Sequence, residues 1–400
     1  MAAYRAFVAV AYFDISDPAF SVRSERIHEA RERGWYARTN YGLAVLRAAE
    51  VNELLKDRRL RQGSAAWPAH NGVDTGPFVD WWSRALLNLE GDEHRRLRRL
   101  LNPAFHPRSI DRLVPRFQTL ADELIEAFAE RGRCEFMHEF AEPYAGGVIA
   151  TILGLPQSSW TSIAAWSRDL GLGLTVDVAA ELDRVEAALA GLYGYADELI
   201  ADRGRELRDD FVSTLVEAHH GEDRLSADEL RVALVLLMFG GMDTTRNQLG
   251  LALETFLRHP DQWELLAARP ELGDQAVEEV MRVNPTITWV TREACEDFEF
   301  GGVEIGAGTT LHLLTESAGT DPRRFGDAPF DITVKRPRHF GFGAGVHHCI
   351  GHYVARTDMS EALPRLAGRL RNPRLDGEHH SLPPSGNTGP VELPLAFDPG

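Results

Sequence analysis

The stretch Phe340-Gly341-Phe342-Gly343-Ala344-Gly345-Val346-His347-His348-Cys349-Ile350-Gly351 decides how the rest of the chain is read. Three glycines precede Cys349 and another follows two residues later. Glycine lets a backbone adopt positive φ or come close to something flat. From Tyr353 to about Leu370 the pattern is helical, with a break or kink expected near Pro364. Cys349 thus stands on a glycine loop entering a helix N-terminus, where free N–H groups and the helix dipole stabilise a thiolate. Such a thiolate suits a metal held in a planar macrocycle. A buried structural cysteine is the ordinary reading of a lone cysteine, and the glycines argue against it. A zinc site from His347, His348 and Cys349 is disfavoured: adjacent residues chelate one metal poorly, and no C-x-x-C or H-x-x-x-H set accompanies them.

A second constellation lies upstream. Ser226-Ala227-Asp228-Glu229 reads as an N-cap serine with a capping-box glutamate. The helix it opens runs through Val235 and past Gly250, apolar on all sides and hence central. Inside it stands Phe239-Gly240-Gly241-Met242-Asp243-Thr244-Thr245. Each mid-helix glycine costs roughly 1 kcal/mol relative to alanine, and a buried aspartate costs more unless partnered. A kinked core helix with a satisfied aspartate is the plain alternative. The functional reading is that the glycines widen the helix beside a small ligand, with Asp243 as proton carrier and Thr244 as hydroxyl donor.

The remainder bounds the class. Of 400 residues, 60 are acidic and 43 basic, a net charge of −17, which argues against general nucleic-acid or anionic-membrane binding. Hydrophobic residues at 44% and charged residues at 26% are those of an ordinary globular protein. Three scattered cysteines make no disulfide framework and point to a reducing compartment. The apolar runs Ala6–Phe13 and Val232–Met242 are too short for a convincing signal peptide or a membrane span. Without repeats or linkers, residues 1–400 read as one domain, mainly α with a small β part. Strands are expected at Trp35–Gly42, Leu43–Leu46, Phe298–Val303 and Thr309–Leu313, helices at Ala49–Arg58 and Ile110–Arg131, and a long loop at Ser64–Asp80.

Phe342-x-x-Gly345-x-x-x-Cys349-x-Gly351 resembles the haem-binding signature of the cytochrome P450 superfamily, and the other segments agree in order along nearly the whole chain. The resemblance, best to soluble bacterial members, implies a P450 fold with a long central helix, about 226–255, over haem b. Cys349 would be the axial thiolate, which favours O–O cleavage, with Phe342 and Gly351 beside the cofactor. His94 and Arg98, at i and i+4, would hold a propionate together with Arg292 and His347, arginine's fork matching a carboxylate. Asp243 and Thr244 match the family's acid-alcohol motif: Thr244 would hydrogen-bond the oxygen under activation and Asp243 link it to solvent protons. Glu279 and Arg282, alone a surface-type i, i+3 pair, match the E-x-x-R motif, a buried structural pair beneath the haem loop. Its usual third member is an arginine three residues after an aspartate. Here Val334 holds that place after Asp331, leaving Lys335, Arg336 or Arg324 as replacements.

Pocket residues implied by the resemblance are Trp67, Phe78, Trp81 and Trp82, the segment Leu172–Val176, Leu236, Phe239 and Gly240, Ile287, Trp289 and Val290, and the turn Gly386-Asn387-Thr388. Bulky Trp289 and polar Asn387 and Thr388 favour a compact, partly polar aromatic or natural-product-like substrate. The implied reaction is insertion of one oxygen atom from O2 into a small organic molecule, by hydroxylation or dealkylation. Electrons would come from a separate ferredoxin and ferredoxin reductase, docking on arginines near His94; nucleic acid and membrane are not expected partners, and the location is cytoplasmic. The alternatives are an enzyme using peroxide or another small oxidant, and a non-catalytic haem sensor or carrier; retention of Asp243 and Thr244 argues against the last.

Overall fold

The computed structural model describes residues 10–220, 225–327, 329–382 and 385–399; the start of the Ala6–Phe13 run lies outside them. The helix Ala227–Leu257 has 31 residues, about 46 Å at 1.5 Å per residue. The capping box starts it: Glu229 N donates to Ser226 Oγ at 3.1 Å, and Ser226 N to Glu229 Oε2 at 2.7 Å. Helices Glu142–Leu153, Trp160–Gly171 and Val178–Arg205 pack around it, which is why its sequence is apolar on all sides.

The helix runs through Gly240-Gly241 without a break. The two glycines act differently. A Cβ at Gly241 would fall 2.6 Å from Ile149 Cδ1, so its absence lets the neighbouring helix close in. A Cβ at Gly240 would meet nothing within 4 Å, so here the missing side chain itself leaves room.

The β part centres on a six-stranded sheet in the order Tyr12–Phe13, Tyr36–Thr39, Gly42–Val45, Thr310–Leu314, Trp289–Ala294, Leu60–Gln62. Its register sets Gln62 opposite Arg292 and Trp289 opposite Leu314. The first hairpin turns at Asn40-Tyr41, so Gly42 opens the second strand rather than closing the first. Phe298–Phe300 pairs with Val303–Ile305 as a separate hairpin.

Three local expectations need correction. Ser64–Asp80 is not a loop: it holds the turn Ser64–Ala66, the helix Trp67–His70 and the start of the helix Pro77–Arg84. Its prolines occupy first turns, where a missing N–H costs nothing, and Phe78, Trp81 and Trp82 bury one face. The helix expected over Ile110–Arg131 is two, Pro107–Asp111 and Val114–Ala129. Pro115 fits a first turn and not an interior, so the chain restarts there. Conversely, the last long helix, His352–Arg369, continues through Pro364. Its neighbour accommodates the notch: a Cβ at Gly273 would lie 2.6 Å from Ser360 O and 3.0 Å from Pro364 Cγ.

That helix also buries Asp358 completely. Neither carboxyl oxygen has a well-formed hydrogen bond among the described residues, and burial drives the carboxyl well above its usual range, opposed by the Met359 backbone N–H. A raised folded-state pKa gives stability that is complete below the unfolded value of about 4 and lost as pH rises. Asp358→Asn is therefore expected to stabilise the protein at pH 8, the gain shrinking toward pH 4. Urea unfolding at both pH values checks this, and a pH-independent difference would refute it.

Candidate active site

The glycine loop and the long helix both border a cavity of about 420 Å³. In the loop, Gly343 (φ 62°) and Gly345 (φ 74°) take left-handed conformations that favour glycine. Cys349 N donates to Phe342 O at 3.0 Å, closing the loop on itself. The Cys349 side chain opens into the cavity while protein surrounds it elsewhere. Burial raises its thiol above the ordinary value; the Gly351 N–H, Arg98 and Arg356 lower it. The Gly351 N–H at the helix start thus favours the thiolate as expected, and a bound metal cation would add to it. Cys134 is a buried thiol pushed up to about 12 by desolvation, and all three cysteines are free.

One wall is cationic. His94, Arg98, Arg292 and His347 all line the cavity. The His94 and His347 rings lie 4.4 Å apart; His94 Nε2 and His347 Nδ1 have no hydrogen-bond partner. Arg98 donates to His348 O, and Arg292 to Gln62 Oε1 and, at 3.0 Å, to Thr291 O. Oxygen dipoles rather than carboxylates thus serve both guanidiniums. Burial lowers His94 to about 4 and Arg292 to about 10. One buried and one half-buried guanidinium and two orphaned ring nitrogens beside a thiol-bearing loop favour anions in the cavity. A flat iron macrocycle with two carboxylates meets every requirement of this donor set.

Across the helix, Thr244 Oγ1 donates to Gly240 O at 2.7 Å. Asp243 is 5% exposed, and burial raises its carboxyl to about 6. It accepts from Asn387 Nδ2 and, at 3.3 Å, from Asn247 Nδ2. Polar contacts continue outward: Arg246 Nη1 donates to Asn247 Oδ1 at 2.8 Å, Arg246 pairs with Glu142 at 3.4 Å, and Glu142 with half-exposed Arg168 at 3.1 Å.

Of the expected pocket residues, Trp67, Trp82, Leu236, Phe239, Gly240, Ile287, Trp289, Val290 and Asn387 line the cavity, with Leu174 and Gly386. Phe78 and Trp81 do not: Phe78 stacks on Trp82 from behind at 6.2 Å and Trp81 meets Phe239 edge-on. Thr388 does not line it either; its backbone is used by Thr286 instead. Phe342 and Gly351 do. Sequence reading missed Gln62, Gln248, Met281 and Thr286, which also line it. Gln62 reaches Arg292 only through strand register, for which the sequence carries no local signal.

Glu279 and Arg282 lie outside the cavity, 1% and 3% exposed, joined by two bonds at 2.6 and 2.8 Å. The missing third cation is Arg336, 3.5 Å from Glu279; Arg324 instead donates to Arg338 O. The zinc alternative finds no support: His347 contacts Glu90 and His348 contacts Arg338, and among the described residues no cluster of three or more metal-ligating side chains occurs. No described helix is long and apolar enough to cross a membrane.

Known proteins resemble this one throughout. Residues 179–268 and 262–372 match the family model described as cytochrome P450. Luteothin monooxygenase of Streptomyces thioluteus is 39% identical over 96% of both chains. Mycinamicin IV hydroxylase/epoxidase of Micromonospora griseorubida is 34% identical over 88% of this chain and 89% of its own. The crystal structure of CalO2 superposes with a TM-score of 0.89 at 31% identity, covering 98% of this chain and 100% of that one.

Proposed function

The chain belongs to the cytochrome P450 family, whose members are haem-thiolate enzymes, and is a monooxygenase acting with O2 on a small molecule; from that premise we propose that Cys349 is the axial ligand and that residues 1–400 form one catalytic unit. The observation that carries this is the thiol of Cys349 facing a cavity rimmed by Arg98 and Arg292, which bond only neutral oxygens, and by unpartnered nitrogens of His94 and His347. Those four would hold the haem propionates, with Phe342 and Gly351 against the ring. Bound there, haem supplies the redox chemistry of O–O cleavage, which thiolate ligation favours. Thr244 positions a hydroxyl at the cavity, and Asp243, with a carboxyl near pH 6, holds and releases a proton in the physiological range.

Trp67, Trp82, Phe105, Phe239 and Trp289 present flat apolar surfaces, while Gln248, Thr286 and Asn387 add polar ones. This supports the compact, partly polar aromatic or natural-product-like substrate expected from the sequence; the relatives are named for luteothin, mycinamicin IV and nocardicin C. Hydroxylation or dealkylation is the expected outcome. Exposed Arg95, Arg99 and Val346 support docking of an acidic ferredoxin, supplied by a ferredoxin reductase, and the cytoplasm is the expected location.

A spectral-shift screen of natural products, luteothin included, identifies the substrate. Turnover of the best hit under 18O2 should then place one labelled atom in the product; incorporation from peroxide but not from O2 would overturn the reading. In the same assay Thr244→Ala should raise peroxide release severalfold per product formed, and Asp243→Asn should slow product formation about a hundredfold, the scale of lost general-acid help. Unchanged coupling in both would remove them from the mechanism.

A further inference from the structure

Asp243 is held from a distant part of the chain. Asn387 is 6% exposed, lies in a turn after the last long helix, and borders the cavity. Its Nδ2 donates to Asp243 Oδ2, and its Oδ1 lies 2.7 Å from the Thr286 hydroxyl. A carboxylate can only accept, so the amide nitrogen is the atom that faces Asp243. The turn is fixed on both sides. Asn387 N donates to Ser385 Oγ at 3.1 Å, and Asn387 bridges Ile287, another cavity residue. A Cβ at Gly389 would fall 2.6 Å from Asn247 Cβ, so the bare glycine presses the turn onto the helix where Asn247 reaches the same Asp243 oxygen.

The other groups facing Asp243 are Arg246 from its own helix, Glu142 from the helix packed alongside, and Gly171, where a Cβ would lie 3.7 Å from both carboxyl oxygens. Glu142 in turn pairs with Arg168 and Arg246. None of these charged groups lines the cavity. Asn387 touches both the carboxyl and the space a substrate fills.

We propose that Asn387 is a positioning residue for Asp243, holding its carboxyl in one orientation and transmitting to it the occupancy of the cavity. The contacts stand independently; the catalytic consequence rests on Asp243 being the proton carrier. An occupant that displaces the Asn387 amide removes a donor from the carboxylate and raises its proton affinity. Substrate binding would thereby load the acid before oxygen is activated, matching proton supply to the presence of something to oxidise.

The test is infrared titration of the holoenzyme with 13C-carboxyl-labelled aspartate, the Asp243 band being identified as the one lost in Asp243→Asn. The wild-type band should titrate near pH 6. Asn387→Leu, similar in shape but without a donor, should raise that midpoint by roughly one pH unit or more, the scale of a charge-assisted bond. Asn387→Asp, smaller in its disturbance of packing, should give two coupled steps instead of one. Adding 4-phenylimidazole, which fills the cavity over the haem, should shift the wild-type midpoint upward and leave Asn387→Leu unmoved. An Asn387→Leu midpoint within about 0.3 unit of wild type would overturn the positioning role. An unmoved wild-type midpoint with 4-phenylimidazole would overturn the transmission. If Asp243→Asn left peroxide release unchanged while the midpoint shifts occurred, the proton-carrier reading would fail and the positioning role would stand.

Discussion

Cys349→Ser is expected to abolish the red-shifted Soret band of the reduced carbon monoxide complex and to cut monooxygenation by about three orders of magnitude or more, the scale seen when the central member of a catalytic constellation is removed. Serine keeps the backbone bond from residue 349 to Phe342 O and nearly the same volume, so the loop is expected to fold. What changes is the donor: a neutral hydroxyl cannot give the electron density a thiolate gives. The thiol, raised by desolvation in the absence of a cation, is expected to ionise more readily when a bound cation balances it. Apoprotein should therefore titrate Cys349 above the ordinary thiol value, and haem addition should make that group unreactive to alkylating reagents. Persistence of the thiolate-type band in Cys349→Ser would sink the ligand assignment.

Removing Arg282 should have the largest effect on the fold. Glu279 is 1% exposed and takes two bonds from Arg282. Arg282→Ala leaves the carboxylate with Arg336 at 3.5 Å and the Asp331 N–H at 3.2 Å. Breaking a buried pair from one side costs up to about 3–5 kcal/mol; here the carboxylate loses its two direct bonds and keeps only the longer Arg336 contact and one N–H, so about 2–3 kcal/mol is expected. Haem retention should fall too: the same helix, Gly273–Val283, carries Met281, which lines the cavity and whose Cε would lie 2.8 Å from a Cβ on Gly341 of the loop. The double variant Glu279→Leu with Arg282→Leu should be destabilised less than Arg282→Ala, since it leaves no carboxylate buried and strands only Arg336, which is partly exposed. Urea unfolding of both variants decides it; a loss below about 1 kcal/mol in Arg282→Ala would show the pair to be dispensable.

Where sequence reading succeeded, the chemistry was contiguous. The loop from Phe340 to Gly351 carries its glycines, its cysteine and the following helix within one short segment, so local rules suffice. The capping box at Ser226 and the Glu279–Arg282 pair are likewise separated by three residues, a spacing helices convert directly into contact. Proline and glycine were misread where position within an element mattered: Pro68 and Pro77 start helices in a stretch whose composition reads as loop, and Pro364 sits inside a helix because Gly273 makes space for it. Phe78 and Trp81 carry the same aromatic signal as Trp67 and Trp82, yet only the latter pair faces the cavity. Composition cannot tell which of several buried aromatics on one helix face reaches the cavity and which packs behind it.

By itself, then, the sequence determined the family, the thiol, the acid and alcohol on the long helix, and the basic residues of the cationic wall. Each is written into a local spacing or into a motif whose residues line the same cavity. The tertiary structure alone decided that Arg336 completes the buried charge cluster, that Gln62 answers Arg292 across a strand pair, and that Asn387 reaches Asp243 from 144 residues away. Those contacts join segments with no shared periodicity. Their partners are chosen by strand register, by the approach a glycine permits and by the need of a buried charge for a donor, none of which exists until the chain has closed on itself.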